Sequence, residues 1–325
     1  MLTKKRLALL TVLLTFVFFA AMLFLPERVV GGRTGNMLLY APKIFFLAFT
    51  AAITTSVILM LVFKREFIRW QIASFNRFKH LLRLLVRRDF VAKYRKSILG
   101  VLWSLLNPLL TMLVITMVFS YLFKRQIENF PVYLLSGQII FNFFSESTKL
   151  GMNSIIAGEG IIKKIYVPKY IFPVSRVLSS LINEAFSFIA FVLVFVVTRA
   201  PFHWTLLLLP IPIIYTFLFS LGVAMLLSSM AVFFRDLTYL YNIFTLLLMY
   251  LTPIFYPVDI LPDSLRPVIG LNPLFQFIGY FRDLALNGVV PDLWTNMVCL
   301  GFALAALCCG VFVFMLKQDK YILNL

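Results

Sequence analysis

The sequence predicts an all-α integral membrane protein with about eight transmembrane helices. Of its 325 residues, 62% are apolar and 13% are charged, and the mean hydropathy is +0.96. Soluble domains are usually about 45–50% apolar and about 25% charged. The apolar residues also gather in runs of about 20, the length that a helix needs to cross a bilayer. A soluble fold is excluded because too few polar residues remain to cover its surface.

The predicted spans differ in how apolar they are. Seven are strongly apolar, at 7–25, 44–63, 101–123, 172–198, 205–234, 237–256 and 294–316. The eighth, at 131–150, carries Gln138, Asn142 and Glu146. Because polar side chains are costly in lipid, we expect this helix to face protein or a water-filled path.

Basic residues indicate the orientation. Lys4, Lys5 and Arg6 precede the first span, and eleven Lys or Arg lie from Lys64 to Lys96. Since Lys and Arg stay on the cytoplasmic side, both termini are predicted to be cytoplasmic. The net charge of +17 then indicates contact with anionic membrane lipids rather than nucleic acid. A signal peptide at 1–25 is the alternative for the first span, and it leaves the later topology unchanged.

Two segments have helical patterns unlike those of the spans. Residues 66–100 alternate basic and apolar side chains at helical spacing, which predicts an amphipathic helix along the inner interface with a second piece before Pro108. A simple membrane anchor is the alternative. Residues 257–293 are semi-apolar but broken by prolines and by Gly270, which predicts two short re-entrant helices on the outer side.

Motifs for catalysis and for metal binding are missing from the sequence. It contains no G-x-x-x-x-G-K-[ST] phosphate loop, no D-x-D pair, no H-E-x-x-H and no G-x-S-x-G. Its two histidines are His80 and His203, and its three cysteines share one apolar run, so neither a zinc site nor a disulfide framework is expected. We expect no enzymatic activity, no catalytic residue, no bound cofactor and no metal. ATP-driven work would need a partner.

The segment between the fourth and fifth spans reads GMNSIIAGEGIIKKIYVPKYIFPVSR, residues 151–176. Asn153 to Lys164 can form a small helix on the membrane surface, and Pro168 and Pro173 would stiffen the turn into the next span. A projecting helix of this kind can dock in a cleft of a partner.

Three parts of the chain together resemble one family. They are KYRKSILGVLWSLLNPLLTMLVITMVFSYLF at 93–123, the segment 151–176, and FFRDLTYLYNIFTLLLMYLTPIFYPVDILP through LNPLFQFIGYFRDLALNG at 233–288. They resemble the polysaccharide-export permease of ABC transporters, which moves O-antigen, capsule or teichoic acid. The resemblance covers roughly residues 80–316, whereas the first 65 residues depart from it.

The resemblance implies a domain organisation. Residues 1–65 would be an N-terminal extension with two transmembrane helices, 66–100 the interface helix region, and 101–325 a six-helix permease core. The core would include a coupling helix at 153–166 and outer gate helices at 258–288.

The resemblance also implies partners and a location. These are a second copy of the chain, two copies of an ABC ATPase subunit that bind ATP and Mg, and an undecaprenyl-type lipid-linked glycan, all at the bacterial inner membrane. A permease for a drug, peptide or simple lipid is the first alternative, and a membrane accessory of glycan assembly is the second.

Three groups of residues are the candidate sites. Coupling to the ATPase is assigned to Asn153, Glu159, Lys163 and Lys164. Positive charge at the entrance suits a pyrophosphate headgroup, and the candidates are Arg87, Arg88, Lys93, Arg95 and Lys96. Aromatic rings suit stacking on sugars, and an intramembrane carboxyl is a functional candidate by default. The channel candidates are Phe141, Phe143, Phe144, Glu184, Tyr250, Phe255 and Tyr256.

Overall fold

The computed structural model describes residues 65–95, 97–123, 127, 129–260, 262 and 269–324. The chain divides into two compact units, Met1–Asn76 and Arg77–Leu325. The predicted spans at 7–25 and 44–63 lie outside the described residues, as does Lys96. The second unit forms the helical bundle.

Every regular element within the described ranges is helical, which confirms the all-α prediction there. The α-helices are α1 (Arg65–Tyr94), α2 (Leu102–Phe123), α3 (Phe130–Met152), α4 (Ser154–Ala157), α5 (Glu159–Ile162), α6 (Ile171–Val197), α7 (Pro210–Ala231), α8 (Leu237–Leu251), α9 (Pro273–Ala285), α10 (Leu293–Lys317) and α11 (Tyr321–Asn324). Short 3₁₀ turns cover Trp204–Leu208, Val258–Ile260 and Gln318–Lys320.

Four helical segments in this part of the chain are long and apolar enough to cross a membrane. They are Leu102–Phe119, Ile171–Val197, Trp204–Ala231 and Leu293–Lys320, and they match four predicted spans. The two other predicted spans in this region also form helices. However, α8 has 15 residues, fewer than the roughly 20 that a span needs, and α3 is less apolar than the four. That α3 and α8 cross the membrane therefore stays a prediction.

Helix α3 is buried along most of its length and packs against α2, α6, α7 and α9. Leu134, Leu135 and Ile139 on this helix are almost completely buried, and Gln138 is buried beside them. The expectation that this polar helix faces protein rather than lipid is confirmed for these positions, because neighbouring helices cover them.

Two apolar clusters hold opposite ends of the bundle. The larger joins the first half of α3 to the second half of α6, to Ile254 and to α9. The smaller joins Leu82 and Leu85 of α1 to Ile155, Phe172 and Tyr321. The interface helix, the segment at 153–166 and the C-terminal helix α11 therefore share one core.

The segment at 153–166 differs from the single small helix that its sequence predicts. It forms two one-turn helices, α4 and α5, separated at Gly158. A Cβ added at Gly158 would lie 2.6 Å from the ring of Phe172. The glycine lets the chain pass close to the first turn of α6, and its low helix propensity favours the break.

The connection from α1 to α2 is sharp. Helix α1 runs unbroken to Tyr94, and Gly100 adopts a left-handed conformation with φ of 50°. The predicted second piece before Pro108 is the beginning of α2, since Pro108 lies inside that helix. Glycine suits this turn because a side chain is strained at positive φ.

The described part of 257–293 contains one 3₁₀ turn, Val258–Ile260, and the 13-residue helix α9. The side chain of Asn272 caps α9 by accepting a hydrogen bond from the amide of Leu274 at 3.0 Å. Residues 263–268 lie outside the described part. Re-entry of this region into the membrane stays a prediction.

Helices α7 and α10 approach backbone to backbone. A Cβ added at Gly222 would meet the backbone of Ala306 and Leu307, and one added at Gly310 would meet the carbonyl of Gly222. Small residues four apart on α10, Ala306 and Gly310, permit this contact, as is typical of membrane helix pairs.

We predict that Gly310→Ala destabilises the protein by about 3 kcal/mol or prevents its folding, since backbone atoms cannot move aside for the new methyl group. The measurement is the thermal midpoint of detergent-solubilised protein. Gly279→Ala is the control, because a Cβ there meets nothing within 4 Å. An equal midpoint for the two variants would contradict the close packing of α7 and α10.

Candidate functional site

The predicted coupling residues occupy the two one-turn helices and the residues beside them. Glu159, the first residue of α5, forms an ion pair at 2.6 Å with Lys163, the residue that follows this helix, and both side chains are exposed to solvent. The hydrogen bond and the ion pair with Lys163 lower the pKa of Glu159 below its ordinary value. Lys164 is exposed beside them. The site therefore presents one compensated charge pair and one further cation to solvent.

Asn153 lies at the junction of α3 and α4. Its amide donates to the carbonyl of Lys149 at 3.2 Å, and its side-chain oxygen accepts from the hydroxyl of Thr238 at 3.5 Å. This residue connects the end of α3 to the beginning of α8. Its position favours a role in holding the segment rather than in contacting a partner directly.

The predicted entrance cations have different surroundings. Arg87 and Arg95 are exposed, whereas Arg88 donates to the carboxylate of Asp89 at 3.1 and 3.2 Å. The other carboxylate oxygen of Asp89 forms an ion pair with Arg176 of α6 at 3.0 Å. Asp89 therefore ties α1 to α6, a role for which its sequence position gives no signal.

A polar network joins α1, α3 and α6. Tyr94 donates its hydroxyl proton to the side-chain oxygen of Asn183 at 3.0 Å, and the amide of Asn183 donates to Glu146 at 3.0 Å. Lys93 donates to the same carboxylate at 2.7 Å. The spacing of Glu146 and Lys149 would allow these two residues to pair on one helix face. In the structure Glu146 instead pairs with Lys93 of a different helix.

A cavity of about 700 Å³ opens beside this network between α1, α2, α3 and α6. Lys93, Tyr94, Glu146 and Asn183 form part of its wall, and Asn142 and Lys149 also line it. Of the three polar residues for which the sequence predicts contact with protein or with a water-filled path, Asn142 and Glu146 therefore line this cavity.

Glu184 lines the same cavity on α6. Its side chain is 6% exposed, and its Oε1 atom is buried with no hydrogen-bond partner among the described residues. Asn183 and Ser187, which flank it in the sequence, are also in the cavity wall. The structure thus places this channel candidate with the polar network rather than with the aromatic candidates.

Three aromatic channel candidates lie in the core. Phe141, Phe143 and Phe144 are each at most 4% exposed. Phe144 stacks on Phe219 with ring centroids 5.5 Å apart, and Phe143 packs with Val177 and Ala224. Their ring faces are occupied by protein, so these residues pack the bundle. A channel role for them has no support in their surroundings.

The other three aromatic candidates lie at and after the end of α8. Tyr250 is exposed, whereas Phe255 and Tyr256 are half-buried. Phe255 stacks on Phe119 of α2 at 6.3 Å, and the hydroxyl of Tyr256 donates to the carbonyl of Tyr250 at 2.7 Å. Of the six aromatic candidates, Tyr250 is the most accessible to a ligand.

Arg282 of α9 is a buried cation that the sequence analysis missed. Its guanidinium donates to the hydroxyl of Ser136 and to the carbonyls of Tyr133, Pro253 and Ile254 at 2.9–3.3 Å. It also lies 3.5 Å from the ring centroid of Tyr133. This one side chain connects α9, α3 and the turn after α8. The only sequence signal for it is an arginine within a semi-apolar helix.

A second contact that the sequence did not indicate holds the C-terminal helix. The hydroxyl of Tyr321 donates to Ser229 of α7 at 2.6 Å, and Lys169 donates to the carbonyl of Gln318 at 2.5 Å. Burial lowers the pKa of Lys169, while Asp319 acts in the opposite direction. The turn between α5 and α6 is therefore fastened to the end of the described chain.

Comparison with known proteins assigns the family. The model of the ABC-2 type transporter family matches residues 80–286, which is more than half of the chain. The chain belongs to the ABC-2 type transporter family. Members of this family are membrane subunits of transporters whose ATPase is a separate subunit.

The described part of this ABC-2 protein contains no group of three His, Cys, Asp or Glu residues that could hold a metal ion.

Individual relatives of this ABC-2 protein are named for O-antigen export and for polysialic acid transport. It is 33% identical over 215 residues to an O-antigen export system permease protein RfbA of Klebsiella pneumoniae, covering 65% of this chain and 82% of that protein. It is 28% identical to the protein of the same name from Myxococcus xanthus, covering 75% and 95%. The polysialic acid transport protein KpsM of Escherichia coli is 22% identical, with 72% and 92% covered.

We predict a stabilising interaction between Lys93 and Glu146 and none between Lys149 and Glu146. A double-mutant cycle with Lys93→Ala and Glu146→Ala should give about 0.5–1 kcal/mol, the range for partly exposed ion pairs. The measurement is thermal unfolding in detergent at low salt. The cycle with Lys149→Ala is the control, and equal interaction energies in both cycles would contradict the pairing.

We also predict that Arg282→Lys destabilises the protein by at least about 2 kcal/mol, since a lysine cannot reach several acceptors in different directions while stacking on a ring. The same thermal assay measures this effect. Arg235→Lys at an exposed position is the matched control and should leave the midpoint unchanged. A similar small shift for both variants would mean that the Arg282 contacts contribute little.

Proposed function

We propose that this chain is the permease subunit of an ABC exporter that moves a lipid-linked polysaccharide outward across the bacterial inner membrane. The observation that carries this proposal is the family match over residues 80–286. It is supported by relatives that match over most of their length and are named for O-antigen export and polysialic acid transport. The cargo would resemble O-antigen, capsule or teichoic acid on an undecaprenyl-type lipid.

The proposed assembly contains two copies of this chain and two copies of an ATPase subunit. ATP and Mg bind to the ATPase, and this chain contributes the path and the docking elements. The proposed topology has eight spans with both termini in the cytoplasm, in which 131–150 and 237–256 cross the membrane and 258–288 re-enters it from outside. The organisation into 1–65, 66–100 and 101–325 belongs to the same proposal.

The packing around 153–166 supports a coupling role. Ile155 and Ile162 share an apolar core with Leu82 of α1, Phe172 of α6 and Tyr321. Because packed cores shift as units rather than deforming continuously, a displacement of α4 and α5 would move α1 and the beginning of α6 with them. Docking of an ATPase on this segment would thereby reach the interface helix and the helices around the cavity.

Deletion of the gene tests the proposed function. We expect full-length lipid-linked glycan to accumulate inside the cell while none reaches the surface, as measured by separate extraction of the inner pool and of surface material. Expression of the chain from a plasmid should restore the surface glycan. Normal surface glycan in the deletion strain would favour another ABC cargo, and a truncated glycan would favour a role in assembly.

A set of charge variants tests the coupling residues. We predict that Glu159→Lys together with Lys163→Glu abolishes export, because the double variant reverses the charges that face a partner while keeping an ion pair between positions 159 and 163. Lys163→Arg with Lys164→Arg is the control that keeps charge and should export normally. The measurements are surface glycan and ATP hydrolysis by the purified complex. Normal export by the swapped variant would remove these charges from the coupling mechanism.

A further inference from the structure

The wall of the cavity between α1, α2, α3 and α6 is rich in neutral hydrogen-bonding groups. Asn107, Asn142 and Asn183 contribute amides, and Ser104, Ser145 and Ser187 contribute hydroxyls. The volume of about 700 Å³ falls in the range of about 300–1,000 Å³ that is usual for small-ligand sites. Amides and hydroxyls both donate and accept hydrogen bonds, so this wall suits a ligand that does the same.

One of the two lysines in the wall is already neutralised. Lys93 and Lys149 line the cavity together with Glu146 and Glu184, and the ammonium of Lys93 is held by Glu146 at 2.7 Å. A site for phosphate would present uncompensated cations or bidentate arginines. The described residues of this wall include no arginine, and one of the two lysines is paired, which favours an uncharged ligand.

Glu184 provides the second observation that points to a ligand. It is a carboxyl in the middle of a spanning helix, 6% exposed, with one oxygen that has no partner in the described part of the protein. Leaving a buried polar group without a hydrogen bond is costly, and polar groups at this depth generally serve function. Because Glu184 also lines the cavity, a hydroxyl donor there can reach its carboxyl group.

Aromatic side chains complete the arrangement. Trp103 and Tyr94 line the cavity, and Trp103 is 44% exposed. A sugar ring presents C–H groups on its faces and hydroxyls at its edges. An indole ring beside amides, hydroxyls and a carboxyl group matches both parts of such a ring.

We propose that this cavity, within a single protomer, binds one or two sugar units of the exported glycan, with Glu184 accepting a hydrogen bond from a sugar hydroxyl. The inference rests on the proposed function and assigns the binding of the sugar to α1, α2, α3 and α6. The Lys93–Glu146–Asn183–Tyr94 network holds three of these walls together beside the bound ring.

The test is photocrosslinking in cells that produce the glycan and carry the full transporter. Thr111, which lines the cavity, is replaced by the photoreactive residue p-benzoylphenylalanine. The matched control places the same residue at Leu113, which is 56% exposed on the same helix and is not among the cavity residues. Glycan attached to the chain is measured by gel shift and glycan stain, and surface glycan is measured in the same cells.

We expect strong attachment of glycan to the variant with p-benzoylphenylalanine at 111 and only background attachment to the variant with this residue at 113. Adding Glu184→Leu should lower attachment at 111 by about tenfold, the effect of one lost ligand hydrogen bond, whereas Glu184→Gln keeps an acceptor and should retain it. A purely structural carboxyl would give the opposite order, since leucine is the better residue in an apolar helix. If the variant at 111 does not reach the membrane, Ser187 and its exposed neighbour Ile189 replace the pair.

Equal attachment at 111 and 113, or attachment in a strain that cannot assemble the glycan, would overturn the inference. So would an unchanged yield with Glu184→Leu. These outcomes are separable from failure of the proposed function, which would appear as surface glycan that does not depend on the chain at all.

Discussion

The arrangement of the bundle depends on the need to cover the polar groups of α3. This helix carries Gln138, Asn142 and Glu146 along a length that lipid would not accept without cost. Neighbouring helices bury Gln138 and donate hydrogen bonds to Glu146, and Asn142 lines the cavity. At one end Glu146 receives Lys93 and Asn183. At the other, Arg282 donates to Ser136 and to the carbonyl of Tyr133. Helices α1, α6 and α9 are therefore positioned by hydrogen bonds to α3, and apolar packing fills the space between them.

These polar contacts differ in environment and so in energetic weight. The Lys93–Glu146 pair is partly exposed, and solvent screens it. Arg282 is buried, so removal of its guanidinium would leave several acceptors without donors. The end of the bundle at α9 is thus fixed more firmly than the end at α1. This difference leaves the end at α1, next to the proposed coupling segment, the easier of the two ends to displace.

Much of the fold follows from the sequence, because long apolar runs and an amphipathic pattern are local signals. Four helices could be predicted without knowing which helices pack beside them, at 101–123, 172–198, 205–234 and 294–316. The site residues were harder to predict. Helical spacing points Glu146 at Lys149, whereas its partner Lys93 lies 53 residues away in sequence. Because 62% of the residues are apolar, the sequence does not distinguish a phenylalanine that packs a core from one that lines a path. Phe141 and Phe144 are examples. The break at Gly158 depends on Phe172, which only the fold brings near.

The cavity has walls of two kinds, and this affects which occupants it can accept. Three walls, on α1, α3 and α6, are joined by the Tyr94–Asn183–Glu146–Lys93 network. The fourth wall is α2, which begins just after the left-handed turn at Gly100 and packs through apolar and aromatic side chains such as Phe119. Apolar contacts are non-directional, so α2 can shift slightly with a smaller loss than a hydrogen-bonded wall would incur. The hydrogen-bonded walls would select the pattern of hydroxyls at the edge of a ligand, whereas the movable wall would accept ligands of different size. This combination would let one permease tolerate chemical variation along a polymer.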